Sequence, residues 1–106
     1  MIVSNLEVLP GQRIVKHLGL AQGSTVRAKH AGKDFLSGLK NIVGGELKAY
    51  TELMKEARDE AVKRMVDEAR SMGANAVLNV RFTTTSITMG AAEILAYGSA
   101  VQVESV

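Results

Sequence analysis

Between residues 46 and 72 the apolar positions Leu47, Tyr50, Met54, Ala57, Ala61, Met65, Ala69 and Met72 recur at intervals of three and four. At about 100° per residue this spacing gathers them on one stripe of a helix. No Pro or Gly interrupts the run, and Gly73 follows it in the place where a left-handed residue ends a helix. Away from the stripe the chain is charged, with Asp59 to Lys63 and Glu60 to Arg64 in the favourable acid-first order, each pair worth about 0.2 to 0.5 kcal/mol. Such a helix would be about 40 Å long, too long for a core built by 106 residues to cover.

Around it the pattern changes to period two. Residues 76–87 alternate Leu78, Val80 and Phe82 against Asn79, Arg81 and Thr83, as a half-buried strand does. Residues 92–103 alternate Leu95, Tyr97, Ser99, Val101 and Val103 against Ile94, Ala96, Gly98, Ala100 and Gln102. The turn Thr88-Met89-Gly90-Ala91 joins the two runs into a hairpin. Upstream, Ile2-Val3, residues 13–21 and residues 24–29 read as strands, separated by turns at Pro10-Gly11 and Gln22-Gly23. Asp34 caps a short helix carrying Phe35, Leu36, Leu39, Ile42 and Val43. Gly44-Gly45 closes that helix and hinges the chain into the long one. The class is α+β: a small antiparallel sheet packed on one long helix plus a short helix. Apolar residues on both sheet faces and an Ala/Met helix stripe predict that another copy covers part of the surface.

Composition excludes more than it assigns. The chain reads as one domain with 46% hydrophobic residues and no low-complexity tract. The absence of Cys removes disulfides, thiolate chemistry and cysteine-based metal sites. No run reaches the ~20 apolar residues of a membrane span, and none has the form of a signal peptide, so the expected location is the cytoplasm. Net charge is +2, divided into +4 over residues 1–45 and −2 over residues 46–106. A basic third could face an anionic partner, but no aromatic residues interleave with it as a nucleic-acid stacking platform requires.

Asp34, Ile42-Val43-Gly44-Gly45-Glu46, Tyr50, Ala57-Arg58, residues 73–77 (Gly-Ala-Asn-Ala-Val) and residues 97–101 (Tyr-Gly-Ser-Ala-Val), in this order and spacing, resemble the YbjQ-like family of uncharacterised bacterial and archaeal proteins. The resemblance spans nearly the whole chain. It implies a dodecin-like subunit assembled into a ring, a pentamer in which extra short strands help subunits join. It also carries a heavy-metal-binding label. Lys33 stands where the family often has Arg, and Ser99 where Thr is common.

Metal chemistry would have to use His17, His30 and five Met, since soft metals take thiolate, imidazole or thioether ligands and a closed site needs about four. Copies of His17 and His30 from several subunits are the metal alternative; the competing reading is two surface histidines beside Lys16 and Lys29. Arg58 and Glu68 fall on the apolar stripe, where a charge needs a partner. Arg81 and Glu93 are candidate partners, and Arg58 could instead present its donor fork to an anion. Gly44-Gly45 ahead of a helix start suits an anion, yet it lacks the Lys-Ser/Thr of a phosphate loop and does not follow a strand. Asn75 reads as a residue satisfying the helix-to-strand turn. No nucleophile, acid and base assemble into a catalytic set. The leading expectation is therefore a ring-forming binding or scaffold protein, holding a small anionic ligand at subunit boundaries with Asp34, Gly44, Gly45, Arg58 and Asn75. Catalysis is poorly supported but left open, since a ring could assemble a site from several subunits, and the sequence leaves any cofactor unknown.

Overall fold

A computed structural model describes residues 1–28, 48–88 and 91–106. The expected short helix, with Asp34, Gly44 and Gly45, lies outside these residues, as does His30. The elements run β1 (Ile2–Val3), β2 (Gln12–Ala28), α1 (Lys48–Ser71), β3 (Ala76–Thr88) and β4 (Ala91–Ser105).

The four strands form one sheet in the order β1-β3-β4-β2. The hairpin forms as the pattern predicts, with Thr88 opposite Ala91, and β2 adds antiparallel to β4. β1 pairs with β3 in parallel. The sheet is thus mixed, not antiparallel as expected, because the long crossover through β2 and α1 returns the chain beside its start in the same direction.

A second correction concerns Gln22-Gly23, which is no turn. β2 is one strand of 17 residues passing straight through it. At ~3.3 Å per residue it spans about 55 Å, the whole 55 Å long axis of the molecule. Ala21, Gly23 and Thr25 are buried under α1, while Gln22 and Val26 are exposed.

α1 covers β2 and β4 and scarcely reaches β3. Ala57, Ala61, Met65 and Ala69 are fully buried, and meet Ile94, Ala96 and Ala100 of β4. Small side chains along this seam let the helix approach the sheet closely, and Met65 is the one large side chain among these fully buried helix residues. The buried Thr25 hydroxyl donates to Ala57 O at 3.0 Å, so its polar group is satisfied. On the surface of α1, Arg64 pairs with Glu60 at 3.2 Å as the spacing predicts, whereas Asp59 pairs with Lys55 at 3.5 Å.

The helix ends at Gly73, with φ +90. Gly73 N–H donates to Arg70 O at 3.0 Å and Ala74 N–H to Ala69 O at 3.0 Å, the double bond of a left-handed glycine cap. On the sheet face away from α1, Ala76, Leu78, Val101 and Val103 form a second, smaller core against Leu9. This face bears the candidate site.

Candidate functional site

Two kinds of irregularity shape the far face. In β3, Leu78 stands opposite Ser99 and Arg81 opposite Tyr97, so Asn79 and Val80 together face Gly98. This is a bulge, and Asn79 takes φ +56 within it, a left-handed conformation Asn tolerates better than most residues. A Cβ on Gly98 would lie 2.8 Å from Val77 Cγ1 and 2.9 Å from Leu78 O, so glycine makes room for the extra residue. In β2, register shifts between Ile14 and Lys16 and between His17 and Gly19 put Ile14 opposite Val103 and His17 opposite Val101. Directly paired residues share a face, so Ile14 and His17 look toward the second core.

The N-terminal segment closes one side. Asn79 N–H donates to Leu6 O at 2.9 Å and Val80 N–H to Ser4 O at 3.0 Å. Arg81 donates to Asn5 O at 3.1 Å and Val80 O at 3.0 Å, fastening the same segment. Glu7, next to Leu6, is thereby set beside the bulge. The result is a pocket of about 260 Å³ lined by Glu7, Ile14, His17, Leu78, Asn79, Ser99 and Val101. Its lining is part apolar, from Ile14, Leu78 and Val101, and part polar, with a carboxylate, an imidazole, an amide and a hydroxyl. Asn79 Oδ1 is buried with no donor. A buried acceptor left unpaired costs about 1 to 3 kcal/mol, and such a cost beside a pocket, on a left-handed backbone, marks a functional candidate.

Of the residues expected to hold an anion, Arg58 and Asn75 lie among the described residues, and a single copy does not bring these two together. Arg58 is exposed, and so is Glu68, correcting their placement on the inward stripe. The buried line Ala57-Ala61-Met65-Ala69 advances by four residues, so it drifts about 40° per step around the helix. Arg58 follows Ala57 and Glu68 precedes Ala69, each about 100° off that line. Neither needs a buried partner, and Arg81, offered as one, binds backbone carbonyls instead. Asn75 lies beyond the end of α1, about 20 Å along the axis from Arg58. Both its amide atoms are occupied: Nδ2 donates to Val103 O at 2.9 Å and Oδ1 accepts from Val103 N–H at 2.8 Å.

Of the two histidines, His17 lies on the pocket wall with Glu7. Among the described residues no group of three or more His, Cys, Asp or Glu converges, and the chain has no Cys. The described residues of a single copy therefore do not by themselves make a closed soft-metal site. Glu7, Asn79 and Ser99 were not singled out as site residues from the sequence. Asn79 has the outward parity of its strand, and only its low β-propensity amid Val and Leu hints at the bulge.

A family model described as "Putative heavy-metal-binding" matches residues 1–104. The chain belongs to the YbjQ family. Curated relatives, each called a UPF0145 protein, span bacteria and archaea. One from Hahella chejuensis is 62% identical over 104 residues, 98% of this chain and 100% of the relative. One from Thermus thermophilus is 57% identical, covering 98% of this chain and 91% of the relative. One from Methanosarcina acetivorans is 53% identical, covering 97% of each. A crystal structure of a protein of unknown function from Pediococcus pentosaceus, in the DUF74 family, shares the fold at TM-score 0.68 and 9% identity, covering 98% of each chain. No described helix of this YbjQ-family chain is long and apolar enough to cross a membrane.

Proposed function

We propose that this YbjQ-family chain is the subunit of a homo-oligomeric binding protein, in which another copy covers the open edge of β2. The observation that carries the reading is that edge itself: among the described residues β2, 17 residues long, has β4 as its one neighbour in the sheet. Its outer side has no strand partner among those residues and is a template for a further strand. Leu20 (58% exposed) and Val26 (55%) flank that edge, and Phe82 (48%) stands beyond the reach of α1.

β3 offers a second open edge from Arg81 onward, past its pairing with β1 and the segment behind it. Joining the β2 edge of one copy to the β3 edge of the next is a head-to-tail contact, which closes into a ring, as the family resemblance implies. Native mass spectrometry of a Leu20→Lys, Val26→Lys double variant tests this. Dissociation with unchanged secondary structure is expected; an unaltered assembly would remove β2 from the interface.

A second reading, metal capture, has in its favour His17 on the pocket wall beside Glu7. It requires ligands from several copies. A stoichiometric metal in the purified oligomer, lost in a His17→Ala, His30→Ala double variant, would establish it.

A further inference from the structure

We infer that the pocket between the N-terminal segment and the far face of the sheet binds an alkylammonium group. The inference rests on reading the chain as a binding protein, but not on its oligomeric state. Glu7 is the one lining residue with a full formal charge, and that charge is negative. Asn79 holds its carbonyl oxygen buried without a donor, so that a half-turn of the amide brings an acceptor to the pocket, and Ser99 has a hydroxyl that can accept. His17 adds a ring nitrogen that can accept. With Glu7, Asn79 and Ser99 it can supply the acceptors that a group with three N–H donors and a positive charge requires. An anion would meet Glu7 repulsively. The buried Leu78 and Val101 and the exposed Ile14 give the lining an apolar part suited to a short methylene chain. The volume, about 260 Å³, lies at the small end of ligand pockets and suits a group of a few carbons and a nitrogen.

Asn79 ties the site to the fold. Neither polar atom of its side chain is held by a hydrogen bond among the described residues, so the amide can turn its oxygen toward an entering donor. The left-handed backbone at this residue sets the amide at the bulge beside Ser99 and Leu78. An ammonium group at this place relieves the unpaired acceptor and pairs with Glu7, while its methylenes cover the apolar part of the lining.

The chemistry has two sources: a free small amine, or a lysine side chain of a neighbouring copy. Titration of the assembled protein with n-butylammonium chloride, followed by amide NMR, separates them. Saturable shifts at Asn79, Ser99 and Val101, absent with n-butanol, support a site for free amines. Shifts that arise only in the Leu20→Lys, Val26→Lys dissociated chain support a neighbour's lysine. Glu7 makes no hydrogen bond or ion pair among the described residues, so Glu7→Gln spares the fold and is expected to weaken binding about fivefold, the worth of one partly exposed ion pair. Asn79→Asp keeps tolerance of a positive φ and adds a charge, and is expected to tighten it. Absence of saturable shifts in both forms of the protein, or an equal response to n-butanol, overturns the proposal. A wild-type protein that is monomeric would overturn the oligomer reading while leaving the titration decisive for the pocket.

Discussion

Met65 sits so close to Gly23 that a side chain at position 23 would overlap its backbone nitrogen. The same Cβ would strike Ala61 O and lie 2.7 Å from Arg64 Cβ. α1 is seated on β2 at this point, and the seat is made of backbone that cannot rotate aside. Arg64 adds a hydrogen bond to Ser24 O at 2.7 Å across the same junction. Gly23→Ala is therefore expected to push the helix off the strand and to cost at least about 1 to 3 kcal/mol, the usual cost of overpacking. A lowered urea midpoint at fixed protein concentration checks it; an unchanged midpoint would show that the helix can shift freely.

Asn75 acts as a detached strand residue for Val103, offering donor and acceptor in place of a neighbour's backbone. Asn75→Ala removes both bonds and leaves the Val103 groups without this partner, for a loss of about 1 to 3 kcal/mol. The same denaturation experiment measures it. A ligand-binding role without a structural one predicts unaltered stability.

Much of this architecture is legible along the chain, for physical reasons that differ by element. α1 announces itself because its buried residues must repeat every turn, and Gly73 because few other residues accept φ +90 without strain. The 76–103 hairpin is legible from alternation and a short turn. Gln22-Gly23 misleads because glycine has two uses, bending a chain and admitting a neighbour. The parity of Ala21, Gly23 and Thr25 continues unbroken and was the available signal for one strand. Parallel pairing of β1 leaves no trace in a two-residue strand. Arg58 and Glu68 mislead because a helical wheel projects the whole helix onto one stripe, whereas the buried line Ala57-Ala61-Met65-Ala69 drifts around the helix. The pocket was illegible because it depends on bulges, which shift register by tertiary pairing and not by composition.

Arg58 lies on the exposed side of α1 next to the fully buried Ala57. Arg58→Ala is expected to change stability by no more than about 0.5 kcal/mol, whereas Ala57→Leu should cost about 1 to 3 kcal/mol by overfilling the seam. Parallel thermal melts distinguish the two. A large loss at Arg58 would return it to a buried role within the assembly.

Metal removal gives a further expectation. One copy lacks a converging ligand set among the described residues, so dialysis against a strong chelator should leave the melting temperature and assembly unaltered. A fall of several degrees on chelation, reversed by one metal ion, would assign that ion a structural site built from several copies.

The central claim is that one copy alone leaves its longest strand edge uncovered and so does not persist as a monomer. Sedimentation equilibrium at micromolar concentration tests it most directly. A mass of two or more times 11.3 kDa is expected, five copies if the ring is the pentamer the family resemblance implies. A folded species at 11.3 kDa would contradict it.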